Sequence, residues 1–261
     1  MESKWKTLLF YVLLILCSFL PLLTTIPYAL WDRGLVMFEL FMTTGLSYPL
    51  WLRGFLHIFT LILVFLLVLY GIRLGRFASA YFGLLFFFYA FTQNIAMLPS
   101  YGLTILLGNL ILLAILGIFW LWEAYRPQNE YVLVRLAWWR YWPIPFLVLA
   151  FWFPYGAGLL PDFNPLLLLF SDFGVTFCAT APLIIALLTW MYSQVNKQLY
   201  TLTCFLGALI GVFNIMAPLT MPGYTLWMLF LHTPLILISF YGLLLPRILS
   251  SPSKNIRTEP S

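Results

Sequence analysis

The sequence predicts an all-α integral membrane protein, a bundle of eight transmembrane helices, and three observations carry that prediction. Of its 261 residues, 63% are apolar and 8% are charged, and the mean hydropathy is +0.99. Soluble domains average roughly 45–50% apolar and 25% charged. The apolar residues fall in eight continuous runs, and a membrane helix needs roughly 20 such residues. The cations lie between those runs in an alternating pattern. A soluble enzyme, a disordered chain, a disulfide framework and a nucleic-acid module are excluded. So is a β-barrel, whose strands alternate apolar and polar residues over roughly ten positions.

The expected spans cover about 7–30, 50–71, 78–98, 102–122, 143–160, 165–192, 199–218 and 224–246, within one membrane domain, 1–249. The first follows Lys4 and Lys6, as a signal peptide would. Its apolar stretch is too long and no small-x-small cleavage site follows, so it reads as a retained helix. Residues 31–49 are mostly apolar but carry Asp32, Arg33 and Glu39, which marks an interfacial helix or cap. Short loops at 99–101, 161–164 and 219–223 separate the paired spans. Residues 123–142 concentrate Trp, Tyr and Arg, an anchoring belt in which Arg126, Arg135 and Arg140 meet anionic lipid headgroups. Residues 250–261, rich in Pro and Ser, are expected to form a disordered cytoplasmic tail.

The cations orient the bundle. With a cytoplasmic N-terminus, the inner segments hold Lys4, Lys6, Arg73, Arg76, Arg126, Arg135, Arg140, Lys197, Arg247, Lys254 and Arg257, and the outer segments only Arg33 and Arg53. That is the positive-inside pattern, with the protein integral to the cell membrane and both termini cytoplasmic. The net charge of +5 is then a topology signal and calls for no nucleic-acid partner.

An internal duplication fits the same topology, as two parallel four-helix repeats at about 1–122 and 143–246. Asn94-Ile95-Ala96-Met97 is echoed 120 residues later by Asn214-Ile215-Met216-Ala217. At the same offset Gly54 pairs with Gly174 and Thr60 with Thr180. Transporter folds are often built this way, with the site at the repeat interface.

Polar groups inside spans are costly and are functional candidates for that reason. Here they are Arg53, His57, Asn94, Asn109, Asp172, Asn214 and His232, and they gather in the outer half of the bilayer, while the inner halves are almost purely Leu, Ile, Phe and Val. The duplication sets Arg53 within one position of Asp172, so a cross-repeat ion pair is expected, since each charge alone in hydrocarbon is expensive. Cys17, Cys178 and Cys204 lie in apolar runs and fit packing roles. Metal-ligand spacing is missing, as are the Walker, HExxH, GxSxG, CxxCH and dinucleotide-binding motifs.

These features favour a non-enzymatic, permease-like protein with a mostly uncharged pocket in the outer-leaflet half, lined by those seven residues. Two alternatives stand beside it. One is a membrane-anchor subunit of a respiratory or electron-transfer complex, with partner subunits and a bound quinone or haem; His57 and His232, at similar depths on two spans, would be the haem ligands. The other is a lipid-modifying enzyme with a histidine as base and Asp172 orienting it.

Overall fold

The structure, a computed structural model, describes residues 2–46, 48–132 and 138–250. Arg135 and the tail beyond Ser250 lie outside the described residues. The chain is mostly helical, and five of its helices are long and apolar enough to cross a membrane, as an α-helical membrane protein requires.

Helix α1 (Glu2–Ser18) stops well short of 30. Pro21 has no amide to continue it and steers Leu20 out of the helical region, and the next residues include β-branched Thr24, Thr25 and Ile26. The chain becomes strand β1 (Leu22–Thr24) instead. Helix α2 (Arg33–Leu46) fills most of the stretch expected to cap the bundle. It is followed by α3 (Leu50–Tyr70) and α4 (Ile72–Thr92), joined at Gly71 with φ +50°, a backbone conformation that glycine adopts without a steric penalty.

The third and fourth expected spans meet in strands. Ile95–Leu98 forms β2 and Gly102–Leu106 forms β3, joined through Pro99-Ser100-Tyr101, before α5 (Leu107–Tyr125) begins. The three strands make one antiparallel sheet in the order β1-β3-β2, with Leu22 opposite Leu106 and Ile95 opposite Ile105. Leu22, Leu98 and Leu106 bury one face of the sheet against Val36 and Leu40 of α2. This small core closes one end of the bundle, the sheet end. Sheet formation uses the backbone hydrogen bonds that Pro21 and Pro99 deny to a helix.

The second half departs further. Where 143–160 is expected to span, α6 (Ile144–Trp152) has nine residues and ends at Phe153, a non-glycine residue at φ +42°. Pro154, Gly156, Gly158, Pro161 and Pro165 keep the following stretch out of a regular helix. Where 165–192 is expected to span, α7 (Leu167–Phe170) is one turn, and an irregular stretch precedes α8 (Phe177–Trp190). With 7–30, then, three of the eight expected spans are not single helices of spanning length. The last two, α9 (Lys197–Thr220) and α10 (Leu226–Ser250), are long and continuous.

The irregular stretches satisfy their own backbone. Gly156 N donates to Leu160 O at 3.0 Å, Val175 N and Thr176 N donate to Asp172 O at 3.1 and 2.9 Å, and Gly174 N donates to Thr180 Oγ1 at 2.8 Å. In hydrocarbon each of these groups left unpaired would cost several kcal/mol, on the order of a whole hydrogen bond.

Small residues bring the long helices together. A Cβ on Gly117 of α5 would stand 2.7 Å from Phe87 of α4, and one on Gly83 of α4 would stand 2.9 Å from Leu121 of α5. Gly211 of α9 meets the backbone of Ile236 on α10 in the same manner. Van der Waals contact at small residues is a main attraction between helices in lipid, where burial from water contributes little. The expected correspondence of Asn94 with Asn214 falls on unlike elements, since Asn94 follows the end of α4 whereas Asn214 lies inside α9.

At the end opposite the sheet, the buried Glu123 of α5 ties the segment after that helix to α9. Its Oε1 accepts from Gln128 N and Asn129 N at 2.5 and 2.6 Å, and its Oε2 accepts from Asn196 Nδ2 at 2.7 Å. Tyr131 closes the group through Ser79 and Asn129, and burial pushes its phenol well above the usual tyrosine range.

Candidate functional site

A cavity of about 520 Å³ lies toward the sheet end, between α2, α3, α5, α9, α10 and the irregular stretches at 153–160 and 171–176. Six of the seven residues singled out by the sequence line it: Arg53, Asn94, Asn109, Asp172, Asn214 and His232. The seventh, His57, does not.

The charged centre joins three elements. Arg53, in the first turn of α3, sets Nη1 3.1 Å from Oδ1 of Asp172, and the contact is an ion pair without an aligned hydrogen bond. Its Nη2 donates to the Gly45 carbonyl at 2.6 Å, in the last turn of α2, where the helix dipole favours a cation. Tyr155 donates its hydroxyl to Asp172 Oδ2 at 2.5 Å. Asp172 is 3% exposed, so the guanidinium and the phenol replace the water that its carboxylate has lost. Gly174 makes this placement feasible. At φ +84° it lies against α3, where a Cβ would come within 2.8 Å of Leu56 C and 2.9 Å of His57 N.

The uncharged groups come from helix ends and faces. Asn94 caps α4, with Nδ2 donating to the carbonyls of Tyr89 and Ala90 at 3.1 Å each. Asn109 sits in the first turn of α5 and makes no side-chain hydrogen bond within the described residues. Asn214 Nδ2 lies 2.9 Å from Cys178 Sγ. His232 Nδ1 lies 2.6 Å from the Met228 carbonyl, which can only accept, so Nδ1 carries the proton. The ring stands edge-on to Phe153 at 6.0 Å.

His57 is fully buried outside the cavity. Its ring packs edge-on against Phe151 and Phe173 at 4.4 and 4.9 Å, and its Nδ1 is 3.4 Å from Ser171 Oγ. The two histidines therefore do not open into a common space, the geometry that bis-histidine ligation requires. Asp172, for its part, is engaged by Arg53 and Tyr155, and no hydrogen bond joins it to either histidine among the described residues. No cluster of three metal-ligating side chains occurs among those residues.

The wall also includes residues that sequence reasoning left out of the site: Tyr48, Gln93, Tyr155, Asp162, Thr176 and Tyr224. Tyr155 and Asp162 had a visible signal, since both sit in a stretch dense in Pro and Gly. The others depend on which way a helix face turns. At the far end, Arg126 is exposed and stacks over Trp122 at 5.1 Å, while Arg140 is 8% exposed and donates to the Thr189 carbonyl at 2.9 Å. Arg140 is thus directed at the last turn of α8, and Arg126 remains open to solvent or headgroups. No known protein family, curated protein or solved structure compared with the chain matches it, so its functional reading rests on its own residues.

Proposed function

We propose that the protein is a permease-like, non-enzymatic membrane protein that binds a small solute in the cavity at the sheet end. The observation that supports this reading is the lining of that cavity: a net-neutral Arg53–Asp172 pair, with Asn94, Asn109, Asn214 and His232 set among aromatic walls. Binding sites of this volume are commonly apolar clefts with a few convergent polar groups. Irregular backbone at membrane depth is tolerated where it lines such a cavity, and discontinuous helices are a recurring feature of transporter sites.

In this reading α6 with residues 153–160, and α7 with α8, are two further crossings whose sheet-end halves are unwound. The total is then eight crossings in two halves, with both termini in the cytoplasm and the sheet end outside. The 11-to-2 distribution of cations supports that orientation.

The test is uptake into proteoliposomes from a low-mass metabolite extract, read by mass spectrometry against protein-free vesicles. At least one solute is expected to accumulate with the protein, and Asn109→Trp, which fills the cavity without removing an internal hydrogen bond, is expected to cut that accumulation at least tenfold. Uptake no greater than in protein-free vesicles would overturn the proposal.

A further inference from the structure

Several donors in the cavity wall are engaged by the protein itself, while the Asn109 amide, the Tyr224 hydroxyl and Arg53 Nε have no hydrogen-bond partner among the described residues. Asn94 uses Nδ2 on two carbonyls, Gln93 uses Nε2 on Val175 O, and Arg53 uses Nη2 on Gly45 O. The Tyr48 hydroxyl donates to Thr92 Oγ1 and that of Tyr155 to Asp172. His232 donates through Nδ1 to Met228 O, so the neutral ring is left with a bare acceptor at Nε2. The ends remaining for a ligand include three acceptors, Asn94 Oδ1, Asn214 Oδ1 and His232 Nε2, beside the Asn109 amide, which both donates and accepts.

Charge favours a cation. Asp162 and Asp172 line the cavity against one guanidinium, Arg53, which is already paired. Phe153, Tyr155 and Tyr224 add aromatic walls, whose ring faces attract cations.

We infer that the solute is a small primary amine in its ammonium form. This rests on the permease reading of the same cavity and adds the ligand class to it. An ammonium supplies three donors to the bare acceptors, balances the surplus carboxylate and fits the aromatic walls. A polyol meets the first condition only, and an organic anion, though the Asn109 amide could donate to it, adds a negative charge beside the surplus carboxylate.

The experiment is thermal unfolding of the purified protein, titrated with butylammonium, tetramethylammonium, erythritol and butyrate. A ligand that binds the native state raises Tm in proportion to its affinity. Butylammonium is expected to bind about tenfold more tightly than tetramethylammonium, which has the charge and no N–H donor. His232→Phe is expected to weaken butylammonium about tenfold, while His232→Gln, which restores an acceptor, stays within about threefold of wild type. Stronger stabilisation by erythritol or butyrate than by butylammonium would overturn the inference, as would equal losses from the two His232 variants. Failure of the permease reading looks different: butylammonium binds as described, yet neither it nor any other solute accumulates in proteoliposomes.

Discussion

At the scale of single residues, the Arg53–Asp172 pair shows what sequence can and cannot provide. An arginine and an aspartate stranded in apolar runs each need a partner, and the internal offset brings the two within one position of each other, so the pair was legible in the sequence. The phenol of Tyr155 on the same carboxylate was not, because it comes from a stretch that reads as helix by hydropathy alone. His57 went the other way. Its depth matches that of His232, but depth along a helix does not say which face turns to the cavity, and Phe151 and Phe173 enclose it. Breaking a buried pair leaves one charge uncompensated, at a cost of about 3–5 kcal/mol, whereas removing both often costs much less. Arg53→Met and Asp172→Leu are therefore each expected to destabilise the protein more than the double variant does, measured by denaturant unfolding in detergent. Additive losses in the double variant would mean that the two charges are not coupled.

At the scale of elements, hydropathy located the long helices α3, α4, α5, α9 and α10 to within a few residues at most ends. It failed where apolar residues leave the helix, because the sheet strands and the irregular stretches are as apolar as their neighbours. Proline was the available signal. Pro21 and Pro99 flank strands, while Pro154, Pro161 and Pro165 accompany the unwound segment; Pro182 and Pro234, by contrast, sit within α8 and α10, so proline alone does not decide. The sharpest element-level device is Gly174, which joins a positive φ to direct contact with the backbone of α3. Gly158 has a similar φ of +69° but open space around its missing Cβ. Alanine at Gly158 meets only the conformational penalty, about 1–2 kcal/mol. Gly174→Ala meets that penalty and a backbone collision, so its Tm in detergent should fall distinctly further. Equal falls would show that conformation alone sets the cost.

At the scale of the whole molecule, the composition identified the class, and the distribution of cations gave an orientation that labelling can check. Met97 is 70% exposed on β2 at the sheet end, and Gln128 is exposed at the opposite end. With the three native cysteines replaced by alanine, Met97→Cys should react with a membrane-impermeant maleimide in intact cells, and Gln128→Cys only after lysis. The reverse result would invert the bundle. The cavity had a partial signature at this scale, since its polar residues are expected at one depth of the apolar runs and gather at the sheet end. Its walls did not, because they are formed by backbone that departs from the helix, and a periodicity argument assumes the helix continues.

The sheet carries one more implication, for the order of biosynthesis. β1 (Leu22–Thr24) has β3 (Gly102–Leu106) as its strand neighbour, about eighty residues downstream. While α3 and α4 are being synthesised, that first strand has no mate, and its amides need another partner, such as water, until β3 follows. The sheet can close only once residues 102–106 have been made, and a nascent chain that stalls before residue 102 leaves β1 without its neighbour.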